Sequence, residues 1–202
     1  MADSTIPVSK LQTAERQLDT AIWLWFHNGD IVSIIQLVDA AIGVIDDLLF
    51  HHQKLRPIPF TPWLIEAAGK TPREVRPKIT GAADFAKHAR NDPEGTYEYE
   101  PEFAEHYIFC TILARDKLVG DGFVDTHNEL RGIFALWYGL AHFETFDTRL
   151  SSYQRARQSL LDRGFEKLSR IDFLKKAGGD RFVGNPPSPD TGLSHDERPP
   201  AL

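Results

Sequence analysis

Two consecutive segments near the start of the chain carry their apolar residues at helical spacing. The first places Leu11, Ala14, Leu18, Ala21, Ile22 and Trp25 on one face. The second places Ile31, Ile34, Ile35, Val38, Ala41, Ile42, Ile45, Leu48 and Leu49 on one face. Steps of three and four residues fit the 3.6-residue period of a helix and not the two-residue period of a strand. Ser9 is suited to cap the first helix, which should end at Phe26. In the link His27-Asn28-Gly29-Asp30, Gly29 suits a left-handed C-terminal position and Asp30 suits the next N-cap. So short a connection makes the pair an antiparallel hairpin, and two apolar stripes of this length demand further helices to cover them.

The rest of the chain supplies those helices. The second helix should stop near His52, because the prolines of Arg56-Pro57-Ile58-Pro59-Phe60-Thr61-Pro62-Trp63 remove donors and block helical geometry. A short helix capped by Thr61 can run to Ala68. Thr71-Pro72-Arg73-Glu74 is another start, interrupted at Pro77 and followed by a helix around Ala82 to Arg90. Asn91-Asp92-Pro93-Glu94-Gly95 is a break. Further helices are expected from Pro101 to Leu118, with Phe103, Tyr107, Cys110, Ala114 and Leu118 near one face, and from Thr126 through Leu130, Ile133, Phe134, Trp137, Leu140 and Ala141. A last, basic helix should span Leu150 to Ala177. The expected architecture is all-α, one bundle of five to seven helices over residues 1–182, with a tail over 183–202 too poor in apolar residues to offset its ordering entropy.

Charge and cysteine content narrow the function classes. The net charge of −6 argues against a general nucleic-acid binder. Residues 149–181 stand apart, with nine Lys and Arg against four Asp and Glu, a local +5. That segment is either a solvated face balancing an acidic body or a site for an acidic partner or RNA. The single cysteine, Cys110, permits no intrachain disulfide, which fits a reducing compartment. The first residues lack a basic stretch followed by an apolar one, and the longest nearly apolar run, Ile133 to Phe143, is far short of the roughly 18 residues a spanning helix needs. The expectation is a cytoplasmic protein that does not enter membranes.

Three acid–histidine pairs are spaced i,i+4 on expected helices: Asp47 with His51, Asp84 with His88, and Glu102 with His106. This spacing puts both side chains of a pair on one face, and chance predicts about one such pair in a chain of this composition. They are candidate ligands for a divalent metal held across helices of a bundle, or ordinary surface pairs worth a few tenths of a kcal/mol each. Lys87, His88 and Arg90 crowd the end of a helix, where they suit its dipole and could also hold an anion. Cys110 sits in an apolar register and is expected to be a buried, inert thiol. Trp23 and Trp25 lie about 200° apart around their helix, so Trp23 falls off the core stripe. It should meet either a second subunit or the Pro57–Trp63 loop.

Residues Lys10 to Ile22, the turn Gly29-Asp30, Val32-Ser33-Ile34, and Asp84-Phe85 to Asp92-Pro93 together resemble a group of uncharacterised bacterial all-helical proteins over about residues 10–140. That group has Pro and His where this chain has Ile31 and Ile35, a second Phe at Ala86 and an acid at Arg90. The resemblance implies a helical fold and supplies no catalytic residues. The chain also resembles, more loosely, the HEPN class of helical bundles, several of which cleave RNA. The Arg-x4-His mark of those ribonucleases is not present at any of the eight histidines.

The leading functional expectation is a non-catalytic intracellular interaction or binding protein that forms a homodimer. The competing class is a metal-dependent enzyme using the acid–histidine pairs, and the sequence leaves open whether the chain is an enzyme at all. The two classes differ in whether those pairs converge in one cleft.

Overall fold

The computed structural model describes residues 6–53, 71–87, 93–120, 129–142 and 151–187. Among these the chain is 74 % helical and forms no strand. The elements are α1 (Lys10–Phe26), α2 (Ile31–Gln53), α3 (Pro72–Lys87), α4 (Pro101–Val119), α5 (Glu129–Ala141), α6 (Ser151–Asp162) and α7 (Arg170–Lys176), closed by a 3-10 turn at Asp180–Phe182.

The opening hairpin forms as its sequence dictates. Ser9 Oγ accepts from Gln12 N at 3.1 Å, and Gln12 Oε1 accepts from Ser9 N at 2.9 Å, a reciprocal box that satisfies two donors at the start of α1. Asp30 caps α2 by accepting from Ser33 N at 2.8 Å and Ser33 Oγ at 2.7 Å. The turn between them corrects one detail. The left-handed residue is Asn28, with φ of 52°, not Gly29. Gly29 N donates to Leu24 O at 2.7 Å, and a Cβ there would stand 3.0 Å from that same carbonyl. Glycine is required by close approach to α1, not by its own φ.

α4 is the central helix. It packs on α1, α2 and α5, while α3 covers α2, α6 packs on α5 and α7 on α1. Gln53 Nε2 donates to the carbonyls of Lys117 and Leu118 at 3.3 Å, which sets the C-terminal ends of α2 and α4 side by side. α1 therefore runs antiparallel to α4. Because α4 is enclosed, it is buried on more than the one face expected: Glu105, Thr111, Arg115 and Asp116 are buried along with Ala104, Tyr107, Ile108 and Cys110. The core continues through Trp25, Phe26, Phe134 and Tyr138, all almost wholly buried.

Two boundaries differ from expectation. α3 runs unbroken through Pro77, at the loss of the backbone bond that residue 77 would donate to the Arg73 carbonyl. It starts as expected, with Glu74 Oε2 accepting from Thr71 N at 2.7 Å and Thr71 Oγ1 at 2.8 Å. The single basic helix expected over Leu150 to Ala177 is two, α6 and α7. Gly164 and Lys167 take positive φ of 72° and 59°, which turns Phe165 into the core. Ser169 then caps α7 by accepting from Asp172 N at 3.2 Å. The loop and short helix expected between Arg56 and Ala68 lie outside the described residues.

At the C-terminal end Phe182 is buried and Val183 packs against the core; residues 188–202 lie outside the described residues. Trp23 Nε1 donates to Phe182 O at 2.9 Å, and the Trp23 ring stacks on His27 at 4.4 Å. The off-stripe tryptophan is thus covered by its own chain's C-terminal segment. Phe182→Ala should lower the unfolding free energy by about 3 kcal/mol. An unchanged urea midpoint would show that this segment does not hold α1.

Candidate functional site

Polar residues gather at the two opposite ends of the α1–α4–α5 core. At one end, Arg115 on α4 reaches Glu15 on α1 through Nε and Nη2, both at 2.8 Å from Oε1. Its Nη1 stands 3.3 Å from Asp116. Arg131 on α5 grips Asp19 with two parallel bonds, Nε to Oδ1 at 2.7 Å and Nη2 to Oδ2 at 3.0 Å, and its Nη1 lies 3.4 Å from Glu15. The fork of Arg131 matches the two oxygens of Asp19, whereas Arg115 aims both nitrogens at one oxygen of Glu15. Three helices are registered by this network, and its charges are engaged with each other.

The other end is built from the start of α4, the end of α5 and the start of α7. Glu102, His106 and Glu105 rise from the first turns of α4, and His142 follows the last residue of α5. His106 Nε2 lies 3.8 Å from Glu102 Oε1, and His106 Nδ1 is hydrogen-bonded to the Tyr138 hydroxyl at 2.7 Å. His142 Nε2 is hydrogen-bonded to Glu105 Oε2 at 2.9 Å. Glu105 Oε1 accepts from Arg170 Nη2 at 3.1 Å, and the Arg170 guanidinium carbon lies over the Trp25 ring, 3.9 Å from its centroid. The two imidazole rings are 4.7 Å apart. Glu102, His106 and His142 each offer one donor atom, and these three atoms lie within 4.8 Å of one another. Burial pushes the Tyr138 hydroxyl up, with Cys110, Glu105 and Glu102 adding to the effect. Burial pulls Arg170 down, against the pull of Glu105 in the other direction.

The other candidates from the sequence fare differently. Asp47 and His51 are exposed on the last turns of α2, beside the C-terminal end of α4 and thus at the far end of the bundle from His106. Asp84 is exposed on α3, which packs on α2; His88 and Arg90 lie outside the described residues. The Asp47–His51 pair does not join Glu102 and His106 in one cleft. Lys87 is ion-paired with Asp39, whose other oxygen accepts from Tyr107 at 3.0 Å. In this arrangement the lysine ties α3 to α2. Cys110 is buried, and burial pushes its thiol up to about 12, far from the lowered values of nucleophilic cysteines.

His142 is the residue sequence reasoning missed. Its partners Glu105 and His106 are more than thirty residues away, so no local spacing marks it. Its one local signal is a position at the end of an apolar helix, where an imidazole also suits the dipole.

Comparison with protein families, with curated proteins and with solved structures found no match to this chain.

Proposed function

We propose that this chain is a non-catalytic binding protein of the bacterial cytoplasm that acts as a homodimer, and that the outer face of α5 forms the contact. The observation that carries the reading is Leu136, 49 % exposed between Gly132 and Gly139 on that face. Gly132, Leu136 and Gly139 follow helical steps of four and three, with half-buried Ala135 and Leu140 beside them and no charged side chain among them. A Cβ built on Gly139 meets nothing within 4 Å. The face therefore carries a projecting leucine beside open backbone at Gly139, which a second copy can approach closely across a two-fold axis. A helix that is apolar nearly all round is normally covered on all sides. Trp23, the alternative contact residue, already has a partner in Phe182. Among the described residues no helix is long and apolar enough to cross a membrane, in keeping with the proposed compartment.

Leu136→Glu tests the proposal. The leucine is exposed, so the substitution should leave the helical circular dichroism intact while halving the mass measured by light scattering. A folded variant of unchanged mass would place the contact elsewhere.

The metal-dependent reading is favoured by one observation, the approach of His142 to the Glu102–His106 pair. It is restricted to that end of the bundle, since Asp47 and His51 lie at the other.

A further inference from the structure

We propose that Glu102, His106 and His142 bind a single first-row divalent cation of the zinc type. The inference is independent of whether the chain dimerises or catalyses. Two imidazoles and one carboxylate are a donor set that suits zinc and its neighbours, with remaining positions for water or another ligand.

The surroundings of both imidazoles are the main support. A metal-bound histidine nearly always engages its second ring nitrogen with a carboxylate, hydroxyl or carbonyl, which fixes the tautomer and aims the lone pair. His142 Nε2 engages Glu105 at 2.9 Å; with Nε2–H donating to that carboxylate, Nδ1 carries the lone pair. His106 Nδ1 engages the Tyr138 hydroxyl at 2.7 Å. With Nδ1–H donating to that oxygen, Nε2 presents its lone pair toward Glu102. Glu105 is itself held by Arg170 at 3.1 Å, so the supporting carboxylate is fixed from α7 as well.

The spacing is within reach. Donors around a tetrahedral zinc with bonds of about 2.0–2.1 Å stand about 3.3 Å apart. His106 Nε2 and Glu102 Oε1 are 3.8 Å apart, and the Glu102 side chain is 72 % exposed. All three donor atoms lie within 4.8 Å of one another, so closing on one ion takes rotamer adjustment of Glu102 together with small rotations of the imidazoles. The ordinary alternative is an exposed Glu–His surface pair that happens to lie near a second histidine. It predicts no particular affinity for a metal.

Cobalt(II) titration of the full chain, followed by its visible d–d bands and by displacement with zinc, separates the two. One equivalent of cobalt should bind, give the intense bands of a low-coordinate site, and be released by zinc. Glu102→Gln and His142→Asn should each weaken binding at least tenfold. Tyr138→Phe removes no donor and should weaken it by about 10–100-fold through loss of the His106 orientation. If His142→Asn fails to fold, Glu102→Gln decides, because that side chain is exposed. Absence of the cobalt bands in the natural protein, or unchanged affinity in Glu102→Gln, would overturn the proposal.

Discussion

Arg131→Ala should destabilise the protein by about 3 kcal/mol, because it leaves the largely enclosed Asp19 carboxylate without its cation while Glu15 keeps Arg115. The Arg131 side chain is 4 % exposed, and its partners Asp19 and Glu15 are 15 % and 13 % exposed. Water cannot readily replace the two parallel bonds to Asp19. Most of the cost is the desolvated charge left behind and not the loss of an attraction. A double variant that also replaces Asp19 with Asn should therefore recover a substantial part of the loss. Urea unfolding of the single and double variants measures both numbers. A single variant within 1 kcal/mol of the natural protein would mean that the network is solvated and does not register the helices.

Alkali should destabilise this protein steeply above about pH 9, where an unfolded chain begins to lose its thiol and phenol protons. Three buried acids bear on this: the Cys110 thiol, pushed up to about 12, and the Tyr107 and Tyr138 hydroxyls, both pushed up chiefly by burial. Asp39 beside Tyr107 adds to its shift. Each group has a folded value above its unfolded one. Its contribution is complete below the unfolded value and is lost as pH rises toward the folded value. The unfolded chain starts to release the thiol proton near 9.0 and the phenol protons near 10.0. Each group then costs about 1.4 kcal/mol per pH unit, so the three together should remove roughly 5 kcal/mol by about pH 11. Urea midpoints compared at about pH 8 and pH 11 give the loss, and Cys110→Ala should abolish its earliest part. A flat profile across that range would mean these side chains reach water in the folded state.

What could be read in the sequence depended on how local the cause was. The α1–α2 hairpin is specified by its own stripe, its Ser9 and Asp30 caps and its turn, and its boundaries follow to within a residue. Even there the left-handed residue was mistaken, because Gly29 is needed against the Leu24 carbonyl, a close approach no single position reveals. The split of the basic segment into α6 and α7 was hidden by a lysine in the left-handed region and by Phe165, whose burial depends on the rest of the core. Arg115 and Arg131 read as ordinary charged positions on apolar helices. Their role depends on Glu15 and Asp19, about a hundred residues earlier in the chain. The Glu102–His106 pair was visible through its spacing, whereas His142 could be joined to it only once α4 and α5 were packed.

The solution mass of the natural protein at micromolar concentration tests the functional account most directly. Light scattering should give twice the mass of one chain, and the value should hold on moderate dilution. A mass equal to a single chain would contradict the account, since the exposed Leu136 and the open Gly139 of α5 would then face water and not a second copy.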